Sequence, residues 1–232
     1  NGAGKSALTD SICGVIAPSS GALGIDGGQR RSVSVLESVG AGIAFVHQEL
    51  NLFDNLDVAS NVYIGREPLY GGPLRLVNRK KLYADVQPLL DHLGVDFEPE
   101  TMVSDMSIAQ RQLLEIAKAL SLNSRLVIMD EPTSSLTLIE TDRLLNVVAG
   151  LKASGVSVIF ISHRLNELTK CADRDGVLRD GRVVGELGKG EITHGAMIRL
   201  MIGRDLKSLY VPPAAAPGEH VLEIKAAQTK TY

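Results

Sequence analysis

Residues suited to binding phosphate stand at the beginning of the sequence, which opens with Asn1-Gly2-Ala3-Gly4-Lys5-Ser6. They match the last six positions of the pattern G-x-x-x-x-G-K-[ST], a loop whose backbone N–H groups bind phosphate oxygens. Small residues let the backbone approach closely, Lys5 would add a positive charge, and Ser6 would offer a hydroxyl to Mg²⁺. A helix is predicted to follow and to direct its positive dipole end at the ligand, with one apolar face formed by Leu8, Ile12, Val15 and Ile16.

Three polar residues follow two apolar segments that have the length of buried strands. Asp130 and Glu131 come after residues 126–129, and His163 comes shortly after residues 156–161. In open α/β sheets ligands bind at the carboxyl ends of the strands, so we expect these side chains near the phosphate loop. Adjacent strand residues point to opposite faces, so the two carboxylates would have different roles. Asp130 would hold Mg²⁺, Glu131 would orient or deprotonate a water molecule, and His163 would contact the terminal phosphate.

Gln48 follows a third apolar segment, residues 43–46, and is expected to bind the same metal ion and sense the terminal phosphate. A lysine, metal ligands, a base for water and further donors suffice for phosphoryl transfer, which depends on positioning and charge neutralisation. The set therefore favours hydrolysis of a nucleoside triphosphate. Each feature alone has a simpler explanation, such as a glycine-rich helix entry, solvated strand-end carboxylates, an ordinary histidine or a capping amide.

The composition is that of a globular chain, with 232 residues, 44% hydrophobic content and a formal charge of −3. This charge indicates neither a nucleic-acid-binding surface nor a polybasic membrane anchor. No apolar run reaches the roughly 18 residues that a membrane-spanning helix needs. Cys13 and Cys171 are isolated and have no metal-binding spacing, so we expect reduced structural thiols.

Strands that alternate with helices predict an α/β fold with a mainly parallel sheet covered on both faces. A short edge strand near residues 23–27 suggests a small antiparallel portion, and residues 66–124 carry mostly helical signals with no obvious strand, as expected of an inserted helical subdomain. The strand that should precede the phosphate loop is not in the sequence, so we expect an N-terminally truncated domain over residues 1–210. A Pro- and Ala-rich linker at residues 211–219 and the beginning of a second domain at residues 220–232 would follow.

Taken as a set, the motifs resemble those of the ATP-binding cassette (ABC) ATPases. The matching segments are NGAGKS at 1–6, VHQE at 46–49, MSIAQRQ at 106–112, DEPTS at 130–134 and ISHR at 161–164. Residues 106–110, 134–137 and 201–204 are most similar to the first cassette of fused two-cassette ATPases of bacterial monosaccharide importers, of the ribose, xylose, arabinose and galactose type. The resemblance runs from residue 1 to about residue 205 and implies the fold of a P-loop NTPase.

The resemblance also implies ATP and Mg²⁺ as ligands and gives each site residue a role. Glu131 and His163 would be catalytic, and Ser6, Gln48 and Asp130 would hold the metal ion. The residues implied to bind nucleotide are Asn1, Gly2, Ala3, Gly4, Lys5, Ser6, Ala7, Gln48, Ser107, Ala109 and Gln110. The last three would serve the nucleotide of a second cassette in the same chain, arranged head to tail.

The implied partners are that second cassette, membrane permease subunits docked on the helical region and, indirectly, a periplasmic sugar-binding protein, with no nucleic acid. The implied location is peripheral, on the cytoplasmic face of the bacterial inner membrane. Three positions depart from the usual family pattern: Ala7 where Thr is common, Ile108-Ala109 where Gly-Gly is usual, and Thr137 where many relatives carry Asp. Two alternatives remain, namely a ribosome- or DNA-associated ABC ATPase and a nucleotide-binding module that is inactive as an isolated fragment.

Overall fold

The computed structural model describes residues 3–47 and 50–203. The predictions for Asn1, Gly2, Gln48, the linker at 211–219 and the second domain at 220–232 lie outside these residues. The helices are α1 (Lys5–Cys13), α2 (Val35–Gly40), α3 (Val58–Val62), α4 (Arg79–Leu93), α5 (Ile108–Leu120), α6 (Leu138–Ala153), α7 (Leu165–Cys171) and α8 (His194–Ile202). The strands are β1 (Leu23–Ile25), β2 (Gly28–Arg30), β3 (Ile43–Val46), β4 (Leu69–Tyr70), β5 (Leu76–Val77), β6 (Leu126–Asp130), β7 (Ser157–Ile161), β8 (Arg174–Arg179) and β9 (Arg182–Gly188).

The centre of the molecule is a parallel sheet in the order β3-β6-β7, formed by the three apolar segments that the sequence predicts as strands. Val46 lies opposite Met129 and Asp130 lies opposite Ile161, so the three strands end at the same edge. Side chains of the central strand are buried because helices cover both faces of a parallel sheet. The prediction of an α/β fold with a mainly parallel sheet is confirmed.

Three antiparallel hairpins accompany this sheet, namely β1-β2, β4-β5 and β8-β9. The first includes the predicted edge strand. The second lies within residues 66–124, where the sequence shows no obvious strand, because strands of two residues are too short to show alternation. Helices α4 and α5 supply the rest of this region, and its separation as a subdomain stays a prediction.

One hydrophobic core joins the sheet to helices α3, α4, α5 and α6. Helix α5 begins where the sequence predicts, because the Ser107 hydroxyl accepts a hydrogen bond from the Gln110 N–H, and Gln110 caps Ser107 in return. Helix α4 ends at Gly94, whose φ of 60° is left-handed and unfavourable for other residues. Among the described residues, no helix has both the length and the apolar character needed to cross a bilayer.

Helix α1 is shorter than its sequence pattern predicts. It ends at Gly14, which has a φ of 80°, and an added Cβ there would lie 2.6 Å from the Ser34 carbonyl oxygen. The N–H groups of Val15 and Ile16 both donate to the Asp10 carbonyl, as in a helix-ending turn. Val15 and Ile16 therefore lie beyond the helix and are exposed, which corrects the expectation that they extend its apolar face.

An open apolar slot of about 670 Å³ lies beside the parallel sheet. Residues of β7, β8 and α1 line it, including Leu8, Ile12, Ile159 and Leu178. Within residues 3–47 and 50–203, β7 pairs with β6 along one edge and its other edge faces this slot. The sheet is thus open on the side of the phosphate loop.

Candidate functional site

The described part of the phosphate loop lies where a helix begins. Gly4 is the N-cap of α1 with a φ of 91°, and Lys5 is the first helical residue. The Ala3 carbonyl accepts a hydrogen bond of 3.2 Å from the Gly181 N–H, which ties the loop to the turn between β8 and β9. A Cβ on Gly4 would lie 3.4 Å from the Gly181 Cα, so a glycine suits both the backbone angle and the close approach. The first N–H groups of α1 have no carbonyl partners within the helix, and such groups bind anions well.

Ser6 and Ala7 lie exposed in the first turn of α1. The Ser6 carbonyl accepts a hydrogen bond of 2.9 Å from the Thr9 hydroxyl, and this bond helps to hold the backbone of the turn. The hydroxyl of Ser6 is left accessible at the entrance of the helix. This placement suits a hydroxyl that serves as a ligand to a cation.

Asp130, Glu131 and His163 lie together at the carboxyl edge of the parallel sheet. Asp130 is the last residue of β6, and the Glu131 N–H donates to the Ile161 carbonyl at 2.9 Å. His163 Nδ1 lies 3.1 Å from Glu131 Oε2, and the imidazole is 59% exposed while the carboxylate is 14% exposed. His163 Nδ1 therefore lies within contact distance of a mostly buried carboxylate, while most of the His163 side chain is exposed to solvent.

Glu131 is not a strand residue. The sequence predicts different roles for Glu131 and Asp130 because adjacent strand residues point to opposite faces, and this premise is wrong for Glu131. Strand β6 ends at Asp130, and Glu131 has a φ of 47°, which is left-handed and costs free energy for any residue other than glycine. A turn, rather than strand alternation, gives the two adjacent carboxylates different environments. The backbone of Glu131 is kept in this conformation by its bond to the neighbouring strand.

The charges at this edge favour a bound cation. Burial, and then the negative charge of Glu131, raise the pKa of the Asp130 carboxyl above its ordinary range, while Lys5 and His47 act in the opposite direction. A carboxylate whose pKa is raised in this way is stabilised in its ionised form by a positive ion beside it. Among the described residues, no three His, Cys, Asp or Glu side chains form a metal cluster.

Ser107, Ala109 and Gln110 form a second group at the start of α5. Gln110 Nε2 donates to Asp96 Oδ1 at 3.1 Å, and the residues border a cavity of about 80 Å³ that shares no lining residue with the slot beside Lys5. In the helix cap, the Ser107 N–H donates to Gln110 Oε1 and the Ser107 hydroxyl oxygen accepts from the Gln110 N–H. The structure therefore arranges the predicted residues in two clusters, one on the sheet edge and one on α5.

Sequence reasoning missed several residues around the sheet edge. His47 follows β3 and its charge acts on Asp130, and Glu167, on helix α7, lies buried beneath the turn that carries His163. The position of His47 directly after an apolar segment is a signal of the same kind as that of Asp130. Glu167 gives no such signal, because burial of a single carboxylate depends on the packing of α7.

Comparison with known proteins gives a consistent result. The family model described as ABC transporter matches residues 1–134. A putative ribose/galactose/methyl galactoside import ATP-binding protein of Agrobacterium fabrum is 47% identical over 222 residues, which cover 96% of this chain and 43% of that protein. The galactose/methyl galactoside import ATP-binding protein MglA 1 of Photobacterium profundum is 40% identical over 97% of this chain and 45% of its own length. The chain thus spans less than half the length of these curated relatives.

Solved structures of the same fold include an ATP-binding cassette of an ABC transporter, MJ1267, in its ADP conformation. It superposes with a TM-score of 0.75 at 24% identity, covering 88% of this chain and 85% of that chain. A nucleotide-free cassette from an ABC transporter gives a TM-score of 0.74 at 23% identity, covering 90% and 83%. The fold, the phosphate loop and the family model agree, and the chain belongs to the ABC transporter family.

Proposed function

We propose that this chain is the ATP-binding and ATP-hydrolysing part of an importer for a monosaccharide. The observation that carries the proposal is the contact of 3.1 Å between His163 Nδ1 and Glu131 Oε2 at the sheet edge where the charge of Lys5 acts on Asp130. A nucleoside triphosphate needs a cation beside its phosphates and a base beside the attacking water, and this edge offers both. The names of the relatives as sugar import ATP-binding proteins support the choice of substrate and process.

Each residue has a role that follows from its chemistry. Lys5 and the N–H groups of α1 bind the phosphates, and Glu131 orients the attacking water and accepts its proton. His163 holds the Glu131 carboxylate through Nδ1 and presents its other ring edge to the terminal phosphate. The Gln48 amide is proposed to sense that phosphate from the third strand end.

Mg²⁺ is the cofactor that this donor set fits. Ser6, Asp130 and Gln48 would hold it, since a hydroxyl, one carboxylate and an amide oxygen are hard oxygen ligands. When bound, the ion neutralises phosphate charge that the protein alone does not balance. Burial is the main cause of the raised pKa of the Asp130 carboxyl, and a cation bound beside it would favour the ionised form.

The proposed partners concern the whole protein, because this chain aligns with less than half the length of each of these relatives. We propose a second cassette in the same polypeptide, whose nucleotide would meet the cluster Ser107, Ala109 and Gln110. We further propose permease subunits, indirectly a periplasmic sugar-binding protein, and a peripheral position on the cytoplasmic face of the inner membrane. The Ser107 hydroxyl oxygen accepts a hydrogen bond in the cap of α5, and its O–H group can still donate to a phosphate oxygen of that nucleotide.

The decisive experiment is Glu131→Gln in the intact polypeptide. The amide keeps the size of the side chain but cannot accept the proton, so ATP binding should persist while kcat falls by about 10²- to 10⁴-fold. Glu186→Gln serves as the matched control, because Glu186 pairs with Arg174 on the exposed hairpin β8-β9. Hydrolysis that is unchanged in Glu131→Gln would remove Glu131 from its proposed role.

A second measurement separates transport from other uses of the same fold. Affinity purification of the intact protein from native membranes should recover a permease. Recovery of ribosomes or DNA instead would overturn the importer assignment while leaving ATP hydrolysis intact. The chain's formal charge of −3 argues against a nucleic-acid partner.

A further inference from the structure

A buried carboxylate joins the two turns that carry the proposed catalytic residues. Glu167 is 4% exposed, and its Oε2 atom accepts two hydrogen bonds, from the Thr133 hydroxyl at 2.8 Å and from the Ser162 hydroxyl at 2.7 Å. A buried carboxylate is unfavourable unless it is hydrogen-bonded, so these two bonds account for its presence. Both donors come from strand ends, and neither comes from the helix that carries Glu167.

The two donors are the near neighbours of Glu131 and His163. Thr133, which is fully buried, follows Glu131 by two residues in the turn after β6. Ser162 directly precedes His163 in the turn after β7. A single oxygen atom therefore fixes the separation of the two turns at a point close to both proposed catalytic side chains.

Arg164 closes the same connection from the other side. Its Nη1 atom lies 3.6 Å from Glu167 Oε1, its Nη2 atom donates to the Ser134 carbonyl at 3.3 Å, and its backbone N–H donates to the Ser162 hydroxyl oxygen at 2.9 Å. The negative side chain of Glu167 and the positive side chain of Arg164 thus both connect the turn that carries His163 to the turn that carries Glu131. The charge of Glu167 is partly compensated, although Oε1 itself accepts no hydrogen bond among the described residues.

The turn after β6 has a reason to need such a connection. Glu131 has a left-handed backbone conformation with a φ of 47°. This conformation is unfavourable for a residue other than glycine, so surrounding contacts must hold it in place. The Ser134 N–H donates to the Glu131 carbonyl at 3.1 Å, so the position of residues 133 and 134 controls the backbone of Glu131. Holding Thr133 and Ser134 therefore also holds the Glu131 carboxylate against His163.

We propose that Glu167 is a positioning residue, which keeps Glu131 and His163 in contact by bridging Thr133 and Ser162. The inference rests on the proposed ATPase function, because Glu167 acts only by positioning the two residues that are proposed to catalyse hydrolysis. The carboxylate acts through the two turns, so its loss should impair the hydrolytic step and leave nucleotide binding by the phosphate loop largely unchanged.

The test compares Glu167→Ala, Glu167→Gln and Leu168→Ala in the intact protein. Glu167→Ala should lower kcat by about 100-fold, as expected for a misplaced catalytic group, with the KM for ATP within about threefold of the parent. Glu167→Gln keeps an acceptor oxygen for the two hydroxyls and should restore part of kcat. Leu168→Ala is the matched control, because Leu168 is the next residue on the same helix, packs in the cluster of Ile192 and Met197, and has no polar side-chain group to bond to either turn. It should lower the melting temperature and leave kcat near the parent value.

A double-mutant cycle with Glu131→Gln separates positioning from a general structural role. If Glu167 acts through Glu131, adding Glu167→Ala to Glu131→Gln should change the residual kcat by less than about threefold. A full additional 100-fold loss in that background, or a Glu167→Ala variant that behaves like Leu168→Ala, would overturn the inference. Hydrolysis unaffected by Glu131→Gln alone would instead refute the proposed function.

Two further variants keep the test open should Glu167→Ala fail to fold. Thr133→Val and Ser162→Ala each remove one hydroxyl donor and leave the carboxylate in place. Each should lower kcat by about fivefold, as expected for the loss of one hydrogen bond, without changing the KM for ATP. Activity equal to that of the parent in both variants would overturn the inference.

Discussion

At the scale of single residues, the sheet edge holds two adjacent carboxylates whose charges repel each other. Burial and the charge of Glu131 raise the pKa of Asp130, and Lys5 offsets only part of this effect. An acid whose pKa is raised by folding binds its proton more tightly in the folded state, so its ionised form opposes folding. The ionised Asp130 side chain therefore lowers the stability of the folded chain, and the cation proposed to bind there would offset this loss.

Asp130→Asn should stabilise the protein without nucleotide at neutral pH. Above the raised pKa both folded and unfolded chains carry an ionised Asp130, so the whole penalty is present in the parent and absent from the amide variant. As the pH falls through the raised pKa toward the ordinary value of 3.8, the difference in melting temperature should shrink. Thermal melts of both proteins at pH 7 and at successively lower pH values measure it.

The same variant should lose most of its Mg²⁺-dependent ATP hydrolysis, because an amide is a weaker ligand than a carboxylate. A lower melting temperature for Asp130→Asn at pH 7 would contradict the electrostatic account. Asp142→Asn, a variant at an exposed aspartate, is the control for the loss of one charge, since Asp142 pairs with Lys170 on the surface.

The sequence predicts some of these residues well and others not at all. Asp130 and His163 are visible because each follows an apolar segment of strand length, and parallel strands bring such positions to one edge. The left-handed backbone of Glu131 and the burial of Glu167 come from tertiary contacts with β7 and α7. No local pattern of residue types encodes those contacts.

At the scale of elements, Thr137, identified from the sequence as a departure from the expected family pattern, has a structural role at the start of α6. Its hydroxyl oxygen accepts a hydrogen bond from the Glu140 N–H and donates to the Glu140 carboxylate, which also accepts from the Thr137 N–H. These backbone and side-chain bonds lower the pKa of Glu140. The departure from the family pattern thus keeps a complete capping box at the start of the 16-residue helix α6.

Thr137→Ala should destabilise the protein by about 1 kcal/mol, the usual effect of losing an N-cap, with a fall in melting temperature of roughly 2–4 °C. Thr137→Ser retains the hydroxyl and should remain close to the parent. Chemical denaturation of the three proteins gives the comparison. Equal stability of the alanine and serine variants would show that the cap contributes nothing.

Element boundaries illustrate where sequence patterns lose information. The end of α4 at Gly94 and the start of α5 at Ser107 follow from capping residues that the sequence displays. The end of α1 at Gly14 does not follow from its apolar spacing, which continues to Ile16, and the close approach of Ser34 leaves no room for a side chain at Gly14. A contact between segments twenty residues apart overrides the helical periodicity there.

At the scale of the whole molecule, the described structure has an incomplete sheet beside its phosphate loop. The slot of about 670 Å³ leaves one edge of β7 without a neighbouring strand among the described residues, and Leu8 of α1 is exposed beside it. Exposed backbone groups and apolar side chains at this position weaken the support of the helix that begins at Lys5.

Residues 1–232 expressed alone should consequently have low stability and bind Mg²⁺-ATP weakly. Isothermal titration calorimetry with ATP, together with thermal melts with and without nucleotide, measures both properties. Longer versions of the polypeptide from the same organism are the control and should bind more tightly. Tight binding by residues 1–232 would contradict this expectation.

For residues 1–232 expressed alone, the edge of β7 that faces the slot in the described structure has a consequence for their behaviour in solution. Its sequence, Ser157-Val158-Ile159-Phe160-Ile161, carries no charge, no proline and no glycine that would discourage pairing with another strand. Two copies that meet edge to edge would continue the hydrogen-bonded ladder, as aggregating proteins do. Light scattering should then rise with protein concentration, and a lysine placed at the exposed Ile159 should suppress this self-association.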